Sequence, residues 1–185
     1  MIDDVLSDAN TRMDKSVEAA KHEFTSIRTG RASAALLERV QVSAYGTKMP
    51  VNQVATISVP EPRLLSITPF DKGTIKDIER AIQESDLGLT PANDGQVIRL
   101  PIPQLTEERR KELVRQVRHM AEEGKVAARN IRRDAIHHLK ELEKDGDVGA
   151  DDIRRAEDRL QKLTDQHTAA IDAALKAKEA EIMEV

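Results

Sequence analysis

A chain of 185 residues suits one large domain or two small ones and can bury a sizeable core. Charged residues make up 34% and aromatics 2%, which excludes a sheet-rich, aromatic-packed globule and favours long solvated helices. The absence of cysteine excludes disulfides and thiolate chemistry, and no apolar run reaches a membrane span, so the chain reads as soluble and cytoplasmic, with no membrane partner.

The start, MIDDVLSDANTRMDKS, is acidic and amphipathic, unlike a signal or transit peptide. Residues 2–28 place Ile2, Val5, Leu6, Ala9, Met13, Val17, Ala20, Phe24 and Ile27 three or four positions apart, which predicts an amphipathic helix. Gly30 follows as a C-terminal stop, with Arg28 in the last turn. From Leu36 to Leu100 the apolar runs turn short and β-branched. VQVSAY, VNQVATISVP and LLSITPF read as strands, KGTIKDIERAIQES as one short helix, DLGLTPANDG as a loop and QVIRLPIP as a last strand.

Helical periodicity returns at Thr106, an N-cap followed by Glu107 and Glu108. Leu113, Val117, Met120, Ala127, Ile131, Ala135 and Leu142 mark the expected seam of a helix running to about residue 144, roughly 57 Å long at 1.5 Å per residue. KDGDVGADD breaks it. A third helix carries Ile153, Ala156, Leu160, Leu163, His167, Ala170, Ala174 and Ala177 at heptad spacing.

No one of these helices buries its stripe alone, whereas three together do. The expected fold is α+β with two domains. Residues 1–30 and 106–185 form an elongated antiparallel three-helix bundle, and 31–105 an inserted, β-sandwich-like α+β domain, giving an L-shaped molecule. Hinges are expected near 29–31 and 101–105. Gly30 can absorb rotation there, while Pro101 and Pro103 keep the return strand extended.

The net charge of −4 hides a strong asymmetry. Residues 109–140 carry 10 basic and 4 acidic side chains, and residues 141–185 carry 7 and 13. Within the second helix, Lys125, Arg129, Arg132, Arg133 and Lys140 have few i,i+4 acids to pair with. At about 100° per residue from Ile131, Arg129 and Arg133 fall opposite the seam, Arg118 and Lys125 at about 120–140°, and Arg132 on its shoulder. A solvated helix face would account for this pattern. An arginine-rich stripe along a long helix also matches phosphate spacing on RNA. Tyr45, Phe24 and Phe70 are the only aromatics and form no stacking platform, so backbone and shape recognition of folded RNA fits best.

Catalytic readings fail. DGDVGADD departs from a calcium loop at Ala150 and Ala156, and adjacent His137 and His138 diverge on a helix. No metal, cofactor or enzymatic activity is expected.

KHEFTSIRTGRASAALLERV, SDLGLTP, LTEERRKELV, ARNIRRDA and the closing LTDQHTAAIDAALKAKEAEIM, taken in order along the whole chain, resemble the bacterial ribosome recycling factor family. The resemblance implies a hinged two-domain monomer without cofactor. It implies binding to the large subunit of the 70S ribosome and, with elongation factor G and GTP, splitting of the post-termination complex, releasing messenger and deacylated transfer RNA. It assigns ribosomal RNA contact to Arg132, flanked by Arg129 and Arg133, with Arg28 and Arg31 in IRTGRAS and Arg110 in LTEERRK. Ile136, His137 and His138 depart from the family pattern after RRDA. The alternative from another class is a coiled-coil adaptor or holdase that binds protein partners.

Overall fold

Helix α1 spans Ile2–Thr25, with Asp3 and Asp4 in its first turn and His22 in its last, charges that suit the helix dipole. It stops short of the expected residue 28 because Ser26 and Ile27 bond back to Glu23 and Phe24 in tighter turns. The structure is a computed structural model and describes residues 1–184.

The chain divides into two compact units: Met1–Arg28 with the chain from Thr106 onward, and Thr29–Leu105. In the first unit, helix α4 spans Glu107–Lys144 and α5 spans Ala150–Met183. The Thr106 hydroxyl accepts a hydrogen bond from the Arg109 amide at 3.1 Å, which fixes the start of α4. Its end is a left-handed cap: Gly146 has φ +79°, and the amides of Gly146 and Asp147 reach the Glu143 and Leu142 carbonyls.

Ion pairs give the helix directions. Asp3 meets Arg159 and Asp14 meets His167, so α1 and α5 run parallel; Arg118 meets Glu179 and Lys125 meets Asp172, so α4 runs against both. The core of this unit includes Leu6, Ala9, Met13, Ile131, Leu139, Ile153 and Leu160.

The seam differs in phase from the expected one. Ala121, Ala128 and Leu139 are buried, whereas Met120, Ala127 and Leu142 only flank them. Small residues carry the middle of α4 because the helices approach closely there: a Cβ on Gly124 would lie 3.1 Å from the Ala20 Cβ and 3.3 Å from the Ile171 Cδ1. In α5 the seam keeps the expected His167 but otherwise passes through Thr164, Ile171 and Ile182 instead of Ala170, Ala174 and Ala177. Thr164 is buried without an unmet polar group because its hydroxyl donates to the Leu160 carbonyl at 2.9 Å. His167 bonds the Leu163 carbonyl and the Asp14 carboxylate.

The second unit has its own core of Leu37, Val42, Leu65, Ile67, Ile78, Ile82, Ile98 and Leu100 among others. Strands β1 (Gln41–Ala44) and β2 (Thr47–Pro50) form a hairpin, with Ala44 opposite Thr47. A helical turn α2 occupies Val51–Val54, where a strand was expected; the V-x-x-V spacing buries both valines on one side. Strands β3 (Ala55–Glu61), β4 (Leu64–Pro69), β5 (Ala92–Asn93) and β6 (Ile98–Pro101) form an antiparallel sheet in the order β3-β4-β6-β5. Strand β5 lies within the segment read as a loop. Helix α3 (Ile75–Gln83) buries Ile75, Ile78 and Ile82, the three residues its period singles out.

Candidate nucleic-acid interface

Helix α4 delivers most of the basic side chains because a single unbroken helix of 38 residues holds them in one register. They fall into two groups. Arg115, Arg133 and Lys140 are exposed and have no salt bridge or side-chain hydrogen bond among the described residues. Arg109, Lys111, Arg118, Lys125, Arg129 and Arg132 are partnered, and for Lys125, Arg129 and Arg132 this corrects the expectation of few partners. Arg129, half-buried, donates to Glu122 at 3.0 Å, and that contact, ahead of one from Lys125, holds the Glu122 carboxyl below its ordinary range.

Arg118 and Lys125 lie on the flank that faces α5. Arg118 Nε donates to Glu179 at 2.6 Å, and Lys125 Nζ stands 2.9 Å from Asp172 and 3.4 Å from Glu122. The Glu179 contact raises the Arg118 guanidinium above its usual value, and the Asp172 contact does the same for Lys125. Each of these charges has a carboxylate beside it within the bundle.

Arg132 occupies the same flank and differs from both. It is half-buried rather than mostly exposed, its Nη1 donates to the Gln161 side-chain carbonyl, and its buried Nε has no partner among the described residues. A neutral amide thus orients this guanidinium without cancelling its charge. The Gln161 partner was not legible in the sequence, since it lies 29 residues away on another helix. Arg110, half-buried at the other end of α4, also has an unpartnered buried Nε.

Arg28 closes the first unit and Arg31 stands near the start of the second; both are exposed. Gly30 has φ +77°, a left-handed conformation that a Cβ would strain, and an added Cβ would come 3.2 Å from the Leu105 Cγ. Pro101 ends β6 opposite Leu64, and Pro103 lies in the stretch before Thr106 that forms no helix or strand. Among the described residues no group of three metal-ligating side chains forms, and no helix is long and apolar enough to cross a membrane. His137 stands 3.2 Å from Glu141 on the helix surface.

The sequence model of the ribosome recycling factor family matches residues 20–183. The ribosome-recycling factor of Rubrobacter xylanophilus is 61% identical over 180 residues, 97% of each chain. That of Carboxydothermus hydrogenoformans is 57% identical over 185 residues, the whole of both. Among solved structures, a solution structure of the ribosome recycling factor superposes with a TM-score of 0.71 at 44% identity, covering 100% of this chain and 98% of that one. A second, described as the T. thermophilus ribosome recycling factor and E. coli elongation factor G bound to the E. coli post-termination complex, gives 0.62 at 45% identity over the whole of both chains. With the family's sequence pattern matched over residues 20–183 and more than half of its positions shared with the Rubrobacter and Carboxydothermus factors, the chain belongs to the ribosome recycling factor family.

Proposed function

We propose that this chain recycles ribosomes after termination: its bundle binds the large subunit through ribosomal RNA, and with elongation factor G and GTP it separates the subunits. The observation that carries this reading is the state of Arg132, a guanidinium oriented by an amide and left with its full charge. Arg133, Arg115 and Lys140 extend the same helix as exposed cations, and Arg129 sits between them. Guanidinium groups suit phosphate because they donate two parallel hydrogen bonds. Arg28, Arg31 and Arg110 add further cations, close in sequence to the boundaries at 28/29 and 105/106. Arg118 and Lys125 contribute less directly, since each already neutralises a carboxylate.

A solved relative described with elongation factor G on a post-termination complex supports the partner assignment. The chain has no catalytic step of its own in this reading; it converts the factor's push into displacement. The two segments that link the units, 29–31 and 101–105, form the joint, with Gly30 absorbing backbone rotation and Pro101 and Pro103 keeping the return segment stiff.

Light scattering of purified post-termination ribosomes tests this. Addition of the chain with elongation factor G and GTP should lower the scattering as 70S particles split, and Arg132→Ala should slow the fall. Splitting by elongation factor G alone, unaffected by the chain, would refute the reading. An adaptor or holdase would instead suppress aggregation of an unfolded client.

A further inference from the structure

The α4–α5 flank has a repeat that Arg132 alone breaks. Arg118, Lys125 and Arg132 are seven residues apart along α4. On the antiparallel α5, Glu179, Asp172 and Asp165 are seven apart in the reverse direction. The first two rungs close as ion pairs, Arg118 with Glu179 and Lys125 with Asp172. By the same register the third rung is Arg132 with Asp165, and no such pair forms. Gln161 stands between them. Its Oε1 accepts from Arg132 Nη1, and its Nε2 donates to the Asp165 Oδ1 at 2.9 Å.

We propose that Gln161 is a positioning residue that keeps Asp165 from neutralising Arg132, so that the guanidinium remains available to an RNA phosphate. This rests on the reading that Arg132 contacts ribosomal RNA.

The chemistry follows from the amide's two ends. A carboxamide accepts from a guanidinium at its oxygen and donates to a carboxylate at its nitrogen, both at once and without carrying charge. Gln161 and Asp165 are one turn apart on α5, the spacing at which such a bond forms along a helix face. Asp165 satisfied by Gln161 has less need of Arg132. Arg132 held at Nη1, with its Nε buried and unpartnered, is fixed in direction, while its charge is not cancelled by any carboxylate salt bridge among the described residues. Arginine held this way loses little rotamer freedom on meeting phosphate.

The test is a set of binding measurements on purified large subunits. Gln161→Ala removes the spacer and lets Arg132 close on Asp165. Affinity should fall roughly tenfold, the worth of about one charge-assisted contact, with melting temperature unchanged or slightly higher. Gln161→Ala combined with Asp165→Asn removes the competing carboxylate and should restore most of the lost affinity. Gln161→Glu should weaken binding as much as Gln161→Ala or more, because it supplies a carboxylate directly. Wild-type affinity for Gln161→Ala would overturn the proposal, as would a loss that Asp165→Asn does not rescue, since that is the behaviour of a residue with a merely structural or direct role. Arg132→Ala run alongside separates the two levels: if it too binds normally, the RNA-contact reading fails and not the spacer alone.

Discussion

Asp94 closes the turn before β6 with one carboxylate. Oδ1 accepts from the Gln96 and Val97 amides at 2.9 and 2.8 Å, and Oδ2 accepts from Arg99 at 2.9 Å. The Val97 amide first, then the Gln96 amide and Arg99, lower its pKa from 3.8 to about 2. A carboxyl depressed in the folded state stabilises fully above its unfolded value near 3.8 and loses that contribution as pH falls through about 2. Asp94→Ala should therefore melt below the wild type at neutral pH, with the gap narrowing between about pH 4 and 2 in an acid melting series. A gap constant across that window would remove the carboxylate from the account. The segment DLGLTPANDG, which ends at this turn, was legible in the sequence as a loop. Arg132 was legible only as a position on the shoulder of a stripe. Its direction depends on Gln161, 29 residues away on another helix, and such a pairing leaves no local pattern to read.

Helix boundaries were the most legible elements, because caps are written locally. Thr106 was read as an N-cap and the structure places its hydroxyl on the Arg109 amide. Thr106→Ala should lower stability by about 1 kcal/mol, seen as a drop in melting temperature with ribosome affinity kept. The seam was less legible, since a search for large apolar residues picks Met120 over Ala121. What selects the alanines is the nearness of α1, and Gly124 is its sharpest sign. Gly124→Ala would gain about 1 kcal/mol of helix propensity. Against this, the new Cβ would meet the Ala20 Cβ at 3.1 Å, a rigid neighbour, and overpacking of this kind costs about 1–3 kcal/mol. The expected net is a loss, and a higher melting temperature would show that α1 yields more easily than this packing implies. In the second unit the turn at Val51–Val54 was misread as strand because V-x-x-V with β-branched residues satisfies both patterns over so short a run.

At the scale of the molecule, each unit owns a core that shares no residue with the other. We therefore expect that replacing residues 31–105 by a short flexible linker leaves a helical protein with a cooperative melt; a molten product would show that the bundle needs its insert. If elongation factor G pushes on the insert, the same variant should keep large-subunit binding, because the basic face of α4 remains, while losing splitting activity. Charge asymmetry, invisible in the net value of −4, is the feature on which the proposed RNA contact rests. We propose that α4 binds ribosomal RNA through a small set of arginines led by Arg132. The measurement that tests it most directly is co-sedimentation with purified large subunits across a salt series, for the wild type and Arg132→Ala. The account predicts affinity that falls steeply with salt, and for Arg132→Ala weaker binding with a slope shallower by about 0.9, the signature of one lost phosphate contact, at a melting temperature within about 2 °C of wild type. Binding indifferent to salt, or an Arg132→Ala variant of normal affinity and unchanged slope, would contradict it.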